Sequence, residues 1–390
     1  MAEYVNNHIH TTYSFSPYTP VQAVKKAKDS GLMTAGIMDH DSVGGAKQFI
    51  EAGRKEGIAT TAGFECRVRM DGTPFDGQRL NNPDQISNAY VACHGIPHQH
   101  IDTAQAWLAP YRQRRNIRNR HMVETINGRL LAGTGMRIDF DRDVAGISMC
   151  ADGGSVTERH ITYALVAKLL AHVDKGAALV RLLEGEMGMH LSEKQRAALL
   201  DAEGQYYDYT LLGILKSSLI GSFYIDATDE CPMAQEFVSF VRSIGAIPAY
   251  AYLGDVGDSV TGDKKAQRFE DGYLDELFPW LKEAGFLAVT YMPTRNTEQQ
   301  LQRVMKLCDD YALFQISGED INSPAQGFRC AALELPEYKH LVTSTWALIG
   351  HENAASADVE NGMFSWKNAR EMPELQDRIC HFAALGRAGR

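Results

Sequence analysis

Three stretches decide the fold of this chain: Val5-Asn6-Asn7-His8-Ile9-His10, then Leu32 to Met38 with Asp39-His40-Asp41 behind it, then Ile58 to Phe64 with Glu65 behind it. Each reads as a short strand that ends in a residue able to bind a metal or move a proton. Between the first two, Thr19-Pro20-Val21-Gln22 writes a capping box with Pro at the first helical position, Val21, Val24 and Ala27 follow at helical spacing, and Gly31 is a stop. A second helix is expected from about Gly45 to Glu56, closed by Gly57. This alternation implies parallel strands with crossover helices. Reactive residues at the carboxyl ends of successive strands are what a (β/α) barrel or a doubly wound sheet presents to its active site.

Further along, Ile101 to Ile220 reads as long helical stretches, including Ile161 to Leu183, where Leu165, Val166, Leu169, Leu170 and Val173 make an apolar stripe. The βα rhythm then returns. A helix is expected at Glu236 to Val241, a strand at Ala246 to Tyr252, a helix at Leu274 to Ala284 and a strand at Leu287 to Tyr291. A helix at Thr297 to Tyr311 and a strand at Phe314 to Ser317, followed by Gly318-Glu319-Asp320, complete it. The expected organisation is a barrel's first part over residues 1–100, a helical insertion over 101–220, and the barrel's second part with a C-terminal extension over 221–390.

Composition narrows the function. The 390 residues carry 39 Lys and Arg against 49 Asp and Glu, a net charge of −10, which lacks the electrostatic footprint of a general nucleic-acid binder. No stretch reaches the roughly 18 apolar residues of a membrane span; the longest candidate, Tyr209 to Ile225, is broken by Lys216 and three serines. The N-terminus carries neither a basic nor an apolar leader pattern, so a cytoplasmic location is expected. Of the seven cysteines, none in a CxxC pair, most read as reduced, buried residues. The expected partner is a small anionic substrate, with no stable nucleic-acid complex, no membrane association, and oligomeric state left open.

The chemistry starts at His8-Ile9-His10, because residues two apart on a strand share a face and can share one metal. Glu65, His94 and Asp320, each at a strand end or in a loop, bring the set to three imidazoles and two carboxylates, which suits Zn, Mn or Fe.

These residues resemble the polymerase and histidinol phosphatase (PHP) family of metal-dependent phosphoesterases. The matching segments are His8-Ile9-His10-Thr11-Thr12-Tyr13-Ser14, Met38-Asp39-His40-Asp41 through Gly45, Gly63-Phe64-Glu65, Cys93-His94-Gly95 and Gly318-Glu319-Asp320. Glu158-Arg159-His160-Ile161 within Ser155 to Leu165 is similar to the Arg-x-His-Ile segment of the nucleotide-phosphatase branch. The resemblance implies a distorted seven-stranded (β/α) barrel with a mostly helical insertion, a site for up to three metals, and hydrolysis of a small phosphorylated metabolite or nucleotide by metal-activated water. Three positions depart from the pattern. Phe15 stands where an Asp or His is usual, Tyr252 replaces a His in Ala251-Tyr252-Leu253-Gly254, and Asn322 replaces the last His after Asp320.

The resemblance then implies a first metal on His8, His10, Glu65 and Asp320 and a second on Glu65 and His94, hence one or two divalent ions of Mn, Fe or Zn, with the third site lost or weakened. His40 is either a general acid for the leaving group or an orienter of a ligand. Arg159 and His160 either meet a substrate phosphate or form a polar helix start. Arg295 is a further phosphate candidate or is exposed, with Asn296 as an N-cap. His98 and His100 form a second HxH in what reads as a solvated loop, and the run Arg112, Arg114, Arg115, Arg118 and Arg120 is either a solvated helix face or an attractor of anions. His351 and Glu352 match no motif. Two alternatives stand beside the phosphoesterase: a metal-dependent hydrolase of a cyclic phosphate, amide or lactone, and a binding protein that kept the barrel without turnover.

Overall fold

A computed structural model describes residues 3–255 and 270–389. Seven strands form one sheet in sequence order: β1 (Tyr4–Ile9), β2 (Leu32–His40), β3 (Ala59–Arg69), β4 (Asn88–His94), β5 (Ile247–Ala251), β6 (Ala288–Tyr291) and β7 (Phe314–Ser317). The sheet curls until Ile321, just beyond β7, bridges in parallel to Ile9. Inside that join, the buried Asn7 amide donates to the Ser317 carbonyl and to Thr345 Oγ1, each at 2.8 Å. The fold is therefore the expected distorted seven-stranded (β/α) barrel.

The helices around it are α1 (Pro20–Asp29), α2 (Ala46–Glu56), α8 (Ala234–Ser243), α9 (Leu274–Ala284), α10 (Glu298–Asp310), α11 (Lys339–Ala357), α12 (Trp366–Glu371) and α13 (Leu375–Ala388). Thr19 caps α1 through a reciprocal box with Gln22, and α2 stops at Gly57, whose φ of 68° is left-handed. α10 starts one residue later than expected. Thr297 is its N-cap, boxed with Gln300, while Asn296 donates its amide to the Leu253 carbonyl at 2.7 Å. α11 and α13 cross with their backbones touching at Gly350 and Gly386, where a Cβ would run into the carbonyl oxygens of Phe382 and Trp346.

One element departs from the parallel pattern. β4 runs antiparallel to both β3 and β5, and β3 continues past Glu65 to Arg69 because those residues pair with Ala92 back to Asn88. Glu65 thus lies within a strand, not just behind one. Opposed residues of an antiparallel pair share a face. Glu65 opposes Ala92 and Arg67 opposes Tyr90, so Glu65, Arg67, Tyr90 and His94 all turn to the same side of the sheet.

Between β4 and α8 the chain is helical: α3 (Ile101–Thr125), α4 (Glu158–His172), α5 (Ala177–Arg181), α6 (Glu193–Leu200) and α7 (Tyr207–Phe223). The expected continuous helix from Ile161 to Leu183 is broken instead, because Asp174-Lys175-Gly176 turns the chain with Gly176 at φ 83°. These helices enclose a second apolar core, built on Met122, Leu165, Leu169, Leu211 and Leu215, apart from that of the barrel. Phe15, from the loop after β1, is buried in this second core. Among the described residues no helix is long and apolar enough to cross a membrane, and all seven cysteines are unpaired.

Candidate metal centre

At the end of β1, His8 and His10 point to one side, as the period of two requires, with their Nε2 atoms 3.3 Å apart. Glu65 Oε1 lies 3.6 Å from His8 Nε2, 3.3 Å from His10 Nε2 and 2.9 Å from His40 Nδ1. Asp320, delivered by the parallel bridge beyond β7, puts Oδ1 3.1 Å from His10 Nε2. Ligand atoms of His8, His10 and Glu65 all lie within 4.8 Å of one another. His10 is buried, whereas the side chains of His40 and Asp320 remain 25% and 38% exposed, so the cluster opens to solvent on that side.

The electrostatics match a site built for a cation. Burial alone would lower the pKa of His10, but the Asp320 and Glu65 carboxylates raise it to about 10. Burial opposes ionisation of Glu65, yet the surrounding His40, His8 and His10 hold its carboxyl well below the usual range. A divalent ion held there would supply the positive charge that these carboxylates otherwise draw from the imidazoles. His94 is the counterpart: burial pulls its pKa down to about 3, and neither ring nitrogen has a hydrogen-bond partner among the described residues. A buried imidazole left in that state is one of the few unsatisfied groups a folded chain tolerates, and a ligand would satisfy it. The donor set and the orphaned ring both fit a divalent ion.

Behind His10 lies a support that the sequence motifs did not single out. His10 Nδ1 is 3.1 Å from Ser14 Oγ, and Ser14 in turn donates to Asp39 Oδ1 at 2.6 Å. Asp39 is fully buried and also accepts from the Thr11 amide at 2.7 Å and the Thr11 hydroxyl at 2.6 Å. With the Ser14 hydrogen committed to Asp39, its oxygen accepts from His10 Nδ1, which leaves Nε2 as the coordinating nitrogen. The only sequence signal for this relay is Asp39 itself, an acid directly before His40.

The substituted positions have other partners. The Tyr252 hydroxyl donates to Asp271 at 2.6 Å, and Asn322 donates its amide to Asp320 Oδ1 at 2.7 Å. Arg159 and His160 open α4. His160 Nδ1 accepts from the Thr157 amide at 3.0 Å to close a capping box, and its ring packs edge-on against Phe15 at 5.0 Å. The Arg159 guanidinium lies 5.2 Å over the Phe15 ring. Arg295 Nε donates to the Leu253 carbonyl at 3.0 Å. His98 and His100 form a 3₁₀ turn outside the cluster, where His98 Nε2 meets the buried Glu352 carboxylate at 3.0 Å, and Glu352 also accepts from the Ala62 amide. His351, beside it, accepts from the Met363 amide through Nδ1.

The basic run divides by helix face. Arg114 and Arg120 are exposed, but Arg115 and Arg118 turn inward and join Arg67 in a buried network with Asp41, Glu158 and Glu230. Three guanidiniums face three carboxylates, which satisfies the requirement that buried charge be paired.

The sequence profile of the PHP domain family matches residues 6–230. Over 90 residues the chain is 31% identical to DNA polymerase III subunit alpha of Aquifex aeolicus (strain VF5), a match that takes in 23% of this chain and 8% of that much longer relative. Two solved structures share the fold. A protein provisionally assigned as a metal-dependent phosphoesterase from Bifidobacterium adolescentis aligns with TM-score 0.55 and 17% identity over 88% of this chain and 97% of its own. An amidohydrolase from Chromobacterium violaceum, solved with sulfate and no metal, aligns with TM-score 0.54 and 15% identity over 87% and 96%. His8, His10, His40, Glu65 and His94 all lie within the residues the family profile matches, which make up more than half of the chain, and this chain belongs to the PHP domain family.

Proposed function

We propose that the chain is a metal-dependent hydrolase and, within that class, a phosphoesterase acting on a small phosphorylated metabolite or nucleotide. The observation that carries the reading is the convergence of His8, His10 and Glu65 on one point at the open end of the barrel, with Asp320 beside it. Membership of the PHP family and the descriptions of the two structural neighbours support the hydrolase class. A bound divalent ion supplies Lewis acidity toward a phosphoryl oxygen and toward water. His8, His10, Glu65 and Asp320 would hold it, and Glu65 with His94 would hold a second. His40, with Nδ1 taken by Glu65, keeps Nε2 to protonate a leaving group. Arg159, at the start of α4, meets the substrate phosphate from the insertion side.

The pairing of Arg115 and Arg118 with carboxylates favours a second reading, hydrolysis of an amide, lactone or cyclic phosphate, because it withdraws two cations from phosphate binding. The chain reconstituted in turn with Mn²⁺, Fe²⁺ and Zn²⁺ is to be assayed against phosphomonoesters and nucleotides, and in parallel against amides, lactones and cyclic phosphates. Metal-dependent release of inorganic phosphate is expected. Turnover confined to the second panel replaces the phosphoesterase reading, and turnover that survives a chelator removes the metal.

A further inference from the structure

His40 is the last residue of β2, and Asp41, the next, has φ 51°, a left-handed conformation that a non-glycine residue holds only when its surroundings impose it. Three groups impose it. The Asp41 amide donates to the Glu65 carbonyl at 2.8 Å, which extends the β2–β3 pairing. Arg112 Nη1 donates to the Asp41 carbonyl at 2.9 Å while its Nη2 donates to the Gln105 carbonyl at 3.2 Å. Arg115 Nη1 donates to Asp41 Oδ2, and its Nη2 donates to Glu158 Oε2 at 2.6 Å. Both arginines come from α3, in the insertion. Arg115 is itself locked, since Glu158 also accepts from Arg118, which is held by Glu230 at 2.6 Å. The held turn fixes the His40 ring, which stacks on His10 with centroids 4.8 Å apart and reaches the Glu65 carboxylate.

We propose that Arg112 and Arg115 are positioning residues for the metal centre: from the insertion they clamp the Asp41 turn, and through His40 they set the Glu65 carboxylate against His8 and His10. The insertion is then part of the machinery that gives the barrel site its metal geometry. Groups that hold a ligating carboxylate from behind change metal affinity by about 10–100-fold when removed. The inference rests on the reading that His8, His10 and Glu65 bind a divalent ion.

The test is titration of the metal-free full chain with Co²⁺, read by its visible d–d spectrum and by calorimetry. The variants are Arg112→Ala, which leaves the buried ion network intact, Asp41→Gly, which accepts φ 51° while deleting the clamped carboxylate, and Arg115→Lys. Arg120→Ala, whose partner Asp141 lies on the surface, is the control. Arg112→Ala and Asp41→Gly are expected to bind Co²⁺ about tenfold more weakly with an altered d–d band, while the control matches the unaltered chain. Arg115→Lys keeps the charge but not the fork, and is expected to fall between. Thermal unfolding of each metal-free variant separates loss of fold from loss of geometry. Unchanged affinity and spectrum in the folded Arg112→Ala and Asp41→Gly chains overturn the clamp while leaving the metal reading standing. No Co²⁺ uptake by the unaltered chain overturns both.

Discussion

At the scale of single residues, the chemistry open to each side chain depends on which of its atoms are already committed. His10 has Nδ1 given to Ser14 and Nε2 turned to Glu65 and Asp320. Ser14→Ala removes the hydroxyl between His10 and Asp39, and metal affinity is expected to fall about tenfold with little change in fold; an unaltered dissociation constant by calorimetry would show that the relay does not orient the ring. Tyr252 is committed elsewhere, to Asp271. Tyr252→Phe is therefore expected to cost about 1–3 kcal/mol of stability, since it leaves a carboxylate oxygen short of a donor, and to leave metal uptake unchanged. A drop in metal content in that variant would place the phenol among the ligands. Of the residues that the fold brings together here, His8 and His10 were marked by their spacing on a strand, whereas Glu65 and Asp320 were picked out by their placement after apolar runs and by the family resemblance. Ser14 and Asp39 stood inside two of the matching segments, but their joint role was not legible, because a hydrogen-bond relay depends on how a loop folds back and not on any period in the chain.

At the scale of elements, caps and stops were the most readable features and strand direction the least. α1 and α2 stand within a residue or so of their expected ends because Thr19, Gln22 and Gly57 act locally. The antiparallel run of β4 escaped because alternation of side chains is the same in either direction. The one sequence sign was the connection itself: residues 70–87, rich in Gly, Pro and Asn, hold no helix to carry a parallel crossover. The helix crossing at Gly350 and Gly386 was likewise unreadable, since a glycine's need for space is set by a distant element. Gly386→Ala forces a methyl into the Trp346 carbonyl, where neither backbone can yield, and is expected to destabilise by about 1–3 kcal/mol or more, seen as a lower urea midpoint. An unchanged midpoint would mean that α11 and α13 have room to part.

The start of α4 offers a test by pH. Burial, with the charges of Arg115 and Arg159 nearby, pulls the His160 pKa down to about 3. An unfolded histidine takes its proton near 6.5, so between about 6.5 and 3 the unfolded chain binds more protons than the folded one. The contribution is complete above 6.5 and is lost as the pH falls, at about 1.4 kcal/mol per unit. His160→Gln keeps an acceptor for the Thr157 amide and does not titrate, so its stability is expected to fall less steeply between pH 6 and 4 in parallel urea titrations. Equal slopes for the two chains would mean that His160 charges freely in the fold.

At the scale of the whole molecule, barrel and insertion are joined in two ways that only the tertiary structure displays. Phe15 leaves the loop behind the metal ligands to enter the insertion's core, and the network of Arg67, Arg115 and Arg118 with Asp41, Glu158 and Glu230 spans the join. Read along the chain, Arg112 to Arg120 is a basic run; in the fold its inward half is neutralised, and the anion-attracting role falls away from Arg115 and Arg118. On the proposed function, the chain's net charge of −10 would leave a bound metal, with Arg159, to draw in an anionic substrate. That the barrel mouth is a metal centre can be tested by elemental analysis of the chain purified without added metal or chelator. One or two equivalents of Mn, Fe or Zn per chain are expected, lost in His10→Ala while the circular dichroism spectrum is kept; near-zero content in the unaltered chain that reconstitution does not restore would contradict it.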